Sequence, residues 1–284
     1  MKQIEKELRE KAAELLKNGE AAMVIGYSAS SQPNRTMPVF IQKPEECDKL
    51  VLNRYCENNL SIYLSRLKDK GKLAIVAKPC DVRTIVSLIH EKQVERDQLH
   101  IISFSCPGMM EPEEDILYAG CGTCEITEPP IFDTLLGGDR KLEKEGDFKS
   151  TYKEFVDTSR EARWEDVRKE MEKCIRCYAC RNACPMCYCE ECFVERSVPR
   201  WIGEGSDVSD TTVFHIMRAL HSAGRCGDCG ACVRACPMGV DLSLIAKKVS
   251  SDVYELFEHR AGIDPEKPAA LADWDKEDWD DFIK

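Results

Sequence analysis

No stretch of this chain stays apolar for the roughly 20 residues that a helix needs to cross a bilayer, so no membrane span is expected. The charged opening MKQIEKELREKAAELLKNGE lacks the apolar core of a secretory signal and reads as an amphipathic helix. Both absences place the protein in the cytoplasm. A surplus of positive charge is missing too: 51 acidic against 40 basic residues leave a net charge of −11. Phosphate binding needs a basic face, which argues against nucleic acid as a partner. There is no P-loop, no HExxH, no Ser-His-Asp arrangement and no nucleotide fingerprint. The paired acidic residues lie in charge-rich helical stretches where solvation explains them. Metal is then the one chemical resource left.

What the chain has in abundance is cysteine, 17 in 284 residues. Cytosolic thiols stay reduced, and an odd count does not suit a disulfide framework, so metal ligation is the default reading. The cysteines also divide the chain. Residues 1–165 carry six scattered ones, Cys47, Cys56, Cys80, Cys106, Cys121 and Cys124, and residues 174–236 carry eleven in two dense groups. The expected organisation is an α/β domain over 1–165, a cluster-bearing domain over 166–260 and an acidic tail over 261–284. The tail holds Trp274, Trp279 and Phe282, which are costly to leave in water and suit docking on a partner or on the parent domain.

The first domain alternates strand and helix signals. AAMVIGY (21–27), PVFIQK (38–43), KLAIVAK (72–78) and LHIISFS (99–105) read as strands, with helices expected over Asp48–Leu67 and over DVRTIVSLIHEKQ (81–93). This βαβ order predicts a mostly parallel sheet with covering helices.

In the dense part, Cys174, Cys177, Cys180 and Cys184-Pro185 follow C-x2-C-x2-C-x3-C-P, and Cys226, Cys229, Cys232 and Cys236-Pro237 repeat it. Three thiolates two residues apart can wrap one face of a cubane, while the fourth belongs to the other cluster. The expected sets are Cys174, Cys177, Cys180 and Cys236 on one [4Fe–4S] cluster, and Cys226, Cys229, Cys232 and Cys184 on a second. Zinc usually takes ligand pairs separated by a long loop, a poorer match. Between the motifs, TTVFHIMRALHSAG reads as a helix ending at glycine, and LSLIAKKVSSDVYELFEH (242–259) supplies another. The second domain is therefore expected to be an all-helical dicluster ferredoxin type. His215 and His221 read as core or surface residues rather than ligands.

The runs IVAKPCDVRTIVSLIHEKQVERDQLHIISFSCPGM (75–109), CGTCEITEPPIFDTLLG and CIRCYACRNACPMCYCEECF resemble the beta-subunit family of deazaflavin-linked hydrogenases and formate dehydrogenases. The similarity is nearest to short iron–sulfur relatives that accompany formate dehydrogenase or hydrogenase catalytic subunits and flavin-bearing, heterodisulfide-reductase-like subunits in anaerobes. It extends over most of residues 20–260. It implies an electron-transfer subunit of a multi-subunit oxidoreductase. Full-length members bind FAD and reduce a deazaflavin; this chain is short at its N-terminus and has no matching fingerprint.

Two further thiol groups follow. Cys80 and Cys106 end successive predicted strands, so in a parallel sheet both open on the edge where α/β proteins place their sites. With the pair Cys121 and Cys124 they are expected to hold a third cluster, with zinc as the rival. Cys187, Cys189 and Cys192 form a compact C-x-C-x2-C, expected to hold a fourth cluster beside the ferredoxin pair, with Cys47, Cys56, a partner or an open position completing it. Cys56 reads as mid-helix core. Three functions remain open: an electron relay between catalytic and flavin subunits, a flavin-containing subunit acting on a deazaflavin or nicotinamide, and a non-redox metal scaffold, which the crossed motifs disfavour.

Overall fold

The computed structural model describes residues 2–138, 142 and 146–270. Its first part is a five-stranded mixed sheet in the order β2-β1-β3-β4-β5. The strands are β1 (Met23–Ala29), β2 (Thr36–Ile41), β3 (Leu73–Ala77), β4 (Leu99–Phe104) and β5 (Thr134–Leu136). All neighbours run parallel except the β1–β2 hairpin. That hairpin puts Pro38 on the edge strand, where a missing amide donor is harmless. β3 reads Leu-Ala-Ile-Val-Ala and is buried throughout, the pattern of a central parallel strand covered on both faces.

Helix α1 (Lys2–Lys17) buries Leu8, Ala12 and Leu15, spaced to share one face, against the sheet. Arg9 donates to Leu50 O at 2.8 Å and pins the helix to the following loop. The helix expected over Asp48–Leu67 is not continuous. A 3-10 turn spans Pro44–Lys49, the chain is irregular to Asn59, and only Leu60–Tyr63 and α2 (Leu64–Leu67) are helical. Asparagine accounts for the break: Asn53 Oδ1 accepts from Tyr55 N at 2.8 Å and Asn59 Oδ1 accepts from Ser61 N at 3.0 Å. Such local side-chain bonds compete with helical ones. The three-residue β5 went unpredicted.

Helix α3 (Pro79–His90) leaves β3 at the carboxyl edge, with Pro79 as its first residue, where the lost N–H costs nothing. Nine of its twelve residues are buried, because the sheet lies on one side and the second half of the chain on the other. That second half holds α4 (Ala119–Gly122) at its approach, then α5 (Ser150–Val156), α6 (Arg160–Glu172), α7 (Ala179–Asn182), α8 (Val208–His221), α9 (Ala231–Arg234) and α10 (Ser243–Phe257). Among its described residues the only paired extended backbone is the isolated bridge Ser197–Arg200. A second core forms around Phe214 with Met171, Val194, Val240 and Leu242.

The two halves meet along α3. Glu91, just past its end, accepts from Tyr188 OH at 2.7 Å and pairs with Arg225 at 2.5 Å. Arg83 Nε donates to Ala261 O at 2.9 Å, and His90 Nε2 lies 2.7 Å from Pro265 O. The start of the acidic tail thus straps across α3. Gly262 permits this, since a Cβ there would stand 2.1 Å from Arg83 O and its φ is +64°. Trp274, Trp279 and Phe282 lie outside the described residues.

Candidate metal centres

The two cysteine motifs fold alike. Two residues past the first cysteine, Arg176 and Asp228 take left-handed backbone angles; two further on, so do Tyr178 and Gly230. One step later α7 and α9 begin. The repeated turn points backbone amides inward, and Arg176 N donates to Cys174 Sγ at 3.3 Å. At the position between the first two cysteines the motifs differ. Ile175 is exposed, whereas Gly227 presses on α3, where a Cβ would stand 2.7 Å from Thr84 Cγ2.

Chain crossing brings the thiols together in two sets. Cys236 interacts with Cys174 and Cys180, while Cys184 interacts with Cys232, which also feels Cys229. The second set of Cys184, Cys226, Cys229 and Cys232 lines one cavity of about 60 Å³. Burial pushes the Cys226 and Cys232 thiols up to about 12. Buried thiols stay protonated until a metal takes the proton's place. Buried guanidinium atoms without hydrogen-bond partners, Nε and Nη2 of Arg176 and Nε of Arg218, stand nearby. Among the described residues no three His, Cys, Asp or Glu groups gather tightly enough for a single metal ion. Four thiolates on four separate irons stand wider apart than four on one ion, so this donor set fits a [4Fe–4S] cluster better than zinc.

The sheet edge carries the next group. β3 and β4 pair with Ala77 opposite Ser103, and three residues beyond each stand Cys80 and Cys106. Cys80 interacts with Cys106 and also with Cys229 of the second set. Cys106 N donates to Thr127 O at 2.9 Å, which brings the Cys121–Cys124 segment alongside; Cys124 Sγ reaches Ile126 O at 3.5 Å. Beneath Cys80, Lys78 is buried with its Nζ 2.8 Å from Asp81 Oδ2, 2.7 Å from Tyr27 OH and 2.6 Å from Asn58 O. Burial works against the Lys78 charge, but Asp81, with Tyr27 and Cys80, more than offsets it and holds the ammonium well above its ordinary pKa.

Cys187, Cys189 and Cys192 have different surroundings. Cys187 shares a hydrogen bond with Cys184 that pushes Cys184 up and, with burial opposed by Arg218, leaves Cys187 at about 5. Cys189 is exposed, and Cys192 packs on the Phe214 core. Cys47 and Cys56 are buried in the sheet core; Cys56 sits in the irregular loop, not a helix, and bonds back to its own turn.

Two arginines were not anticipated from the sequence, and His215, expected in the core or on the surface, is buried beside a thiol. His215 Nε2 lies 3.3 Å from Cys174 Sγ, and burial, then the charges of Arg218 and Arg176, hold its pKa down to about 3, so the ring is neutral and can donate. Arg218 lies between the two ferredoxin-type sets, interacting with Cys180, Cys184 and Cys232. Arg234 reaches the second set and the sheet edge. His215 and Arg218 share a helix face three residues apart, a spacing that could have linked them.

The βα turn after β3 is Lys-Pro-Cys-Asp, and β1 runs into a hairpin rather than a helix. A Rossmann-type pyrophosphate site needs a glycine-rich strand-to-helix turn, and this turn is not one.

A family profile for a 4Fe-4S dicluster domain matches residues 170–240. The chain is 24% identical to the F420-dependent formate dehydrogenase subunit beta of Methanocaldococcus jannaschii, over 82% of this chain and 85% of that protein. It is 23% identical to the F420-dependent formate dehydrogenase 1 subunit beta of Methanococcus maripaludis, over 90% of each. A solved F420-reducing NiFe hydrogenase complex from Methanosarcina barkeri aligns with 15% identity and a TM-score of 0.31, over 39% of this chain and 42% of that one. The dicluster domain and the curated relatives support an iron–sulfur electron-transfer protein of the oxidoreductase class. More narrowly, they support an iron–sulfur beta-subunit family for this chain. No helix among the described residues is long and apolar enough to cross a membrane.

Proposed function

We propose that this chain is a cytoplasmic electron relay in a multi-subunit complex, joining a formate dehydrogenase or hydrogenase catalytic subunit to a flavin-bearing, heterodisulfide-reductase-like subunit. In this reading Cys174, Cys177, Cys180 and Cys236 hold one [4Fe–4S] cluster, and Cys226, Cys229, Cys232 and Cys184 hold a second. Cys80, Cys106, Cys121 and Cys124 hold a third. Residues 1–165 form the sheet domain, 166–260 an all-helical dicluster domain, and 261–284 the tail. Such clusters accept and pass single electrons; the chain's own residues space them, exclude water and set their potentials.

One observation carries the reading. The thiol groups lie within electrostatic reach of one another in series: Cys180 of Cys232, and Cys229 of Cys80. A structural metal scaffold has no need of that continuity. Cys177 is exposed, two residues from Ile175, which is 54% exposed. Apolar side chains beside an exposed ligand suit a docked partner.

Iron and acid-labile sulfide counted on anaerobically purified protein test this. Two clusters require about eight of each, and three require about twelve, by four iron per cluster. Zinc with negligible sulfide would refute it. The CYCEEC thiols are a separate arm: a count above twelve that falls in Cys189→Ser places a fourth cluster there, and an unchanged count leaves those thiols structural. Flavin released by acid would favour the second reading, a subunit that itself acts on a deazaflavin or nicotinamide.

A further inference from the structure

Arg234 occupies a position that the relay alone does not explain. It ends α9 within the second cysteine motif, between Cys232 and Cys236, and is half-buried. Nη1 donates to Cys229 O at 2.9 Å, and Nη2 donates to Glu57 O at 2.8 Å. The plane lies over the Tyr118 ring, 5.2 Å from its centroid. Each of these contacts touches a different part of the molecule: the second motif, the loop beyond β2, and the approach to α4. The charge is within electrostatic reach of Cys229, Cys80 and Cys121, thiols that belong to two different candidate centres. Burial opposes the charge here, and those thiols more than offset it.

We propose that Arg234 is a positioning residue between the second centre and the sheet-edge centre, whose fixed charge raises the reduction potential of both. A reduced cluster carries one more negative charge than an oxidised one. A cation that stays charged stabilises the reduced form, and low dielectric strengthens the effect. One guanidinium lying between two centres acts on both at once. Its hydrogen bonds to Cys229 O and Glu57 O hold it there, so that neither centre can claim it alone. The first centre, around Cys174, has His215 beside it, and Arg218 lies between it and the second.

This inference rests on the three-centre reading, and the iron count of the unaltered protein tests that reading before any variant is made. The experiment is a redox titration followed by electron paramagnetic resonance on the full chain and on Arg234→Gln and Arg234→Lys. Full iron and sulfide are expected in both variants. Arg234→Gln is expected to disfavour reduction of two of the three signals by tenfold or more, about 59 mV for one electron. The third signal stays in place. Arg234→Lys, which keeps the charge, is expected within threefold of the unaltered protein on all signals. Loss of iron in either variant would make Arg234 a purely structural residue and overturn the proposal. So would a shift confined to one signal, a shift of all three, no shift, or an equal shift in the Lys and Gln variants. Fewer than three centres in the unaltered protein would overturn both readings.

Discussion

Asp81→Ala is the most demanding test of how the sheet edge is built. Lys78 and Asp81 have side chains 2% and 0% exposed, with 2.8 Å between Nζ and Oδ2. Removing the carboxylate leaves the ammonium buried with two neutral acceptors, Tyr27 OH and Asn58 O. Breaking one partner of a buried pair costs about 3–5 kcal/mol. At ~2–4 °C per kcal/mol for a chain of this size, the thermal midpoint should fall by about 6–20 °C. Lys78→Met should cost a similar amount, because Asp81 keeps only weaker donors such as Lys78 N at 3.2 Å. The double variant Lys78→Met with Asp81→Leu should cost clearly less than the two single costs combined, since neither charge is then stranded. The pH dependence follows from the raised pKa of Lys78. Its contribution is fully present below the ordinary lysine value and is lost only as pH climbs through the higher folded value. The midpoint difference should therefore be the same at pH 6 and pH 9. Circular dichroism of anaerobic protein, with iron counted in parallel, reads both effects, because Cys80 lies between the two charged residues and should lose hold of its metal. A shift of less than about 2 °C, corresponding to under ~1 kcal/mol, or strict additivity in the double variant, would refute the reasoning.

Replacing Cys80, Cys106, Cys121 or Cys124 singly by Ser should remove about four iron and leave the ferredoxin-type signals intact, because a hydroxyl is a poor ligand for soft iron–sulfur bonding; full iron in all four variants would make these thiols structural. His215→Phe should lower the midpoint potential of the first centre alone, through loss of the 3.3 Å donor to Cys174 Sγ, while iron content holds. An unchanged potential in a redox titration would show that the contact is only packing. Glu91→Ala removes the acceptor shared by Tyr188 and Arg225. Limited proteolysis of the anaerobic protein should then cut faster between the two halves while the cluster signals remain.

The sheet and its edge were legible because their signals are local. The apolar run Leu73–Ala77 has no helical period, and the identical spacing of Cys80 after β3 and Cys106 after β4 needs only a parallel register to bring them together. The dense motifs were legible for the same reason: three thiols and a Cys-Pro carry their own geometry. The Asp48–Leu67 helix failed where propensity outweighed a subtler fact, that Asn53 and Asn59 each offer the backbone a local acceptor. The CYCEEC group was read as a unit on spacing alone; what spacing does not carry is that Cys187 bonds Cys184, Cys189 is exposed and Cys192 packs on the Phe214 core.

Arg218, Arg234 and His215 were illegible for a deeper reason. Each acts between elements far apart in sequence, and nothing in a lone arginine says which thiols it will face. The internal repeat narrows the search nonetheless. Both motifs leave a residue with left-handed backbone two steps past the first cysteine and start a short helix at the same point, so matching positions can be compared directly. Where the first motif has exposed Ile175, the second has Gly227 pressed on α3; where the first has Asn182 closing α7, the second has Arg234 closing α9. The departures in the second motif fall on the side that meets the sheet domain. An even repeat would have two equivalent surroundings, whereas this asymmetry gives the second motif its contacts with Thr84 and Glu57 of the sheet domain.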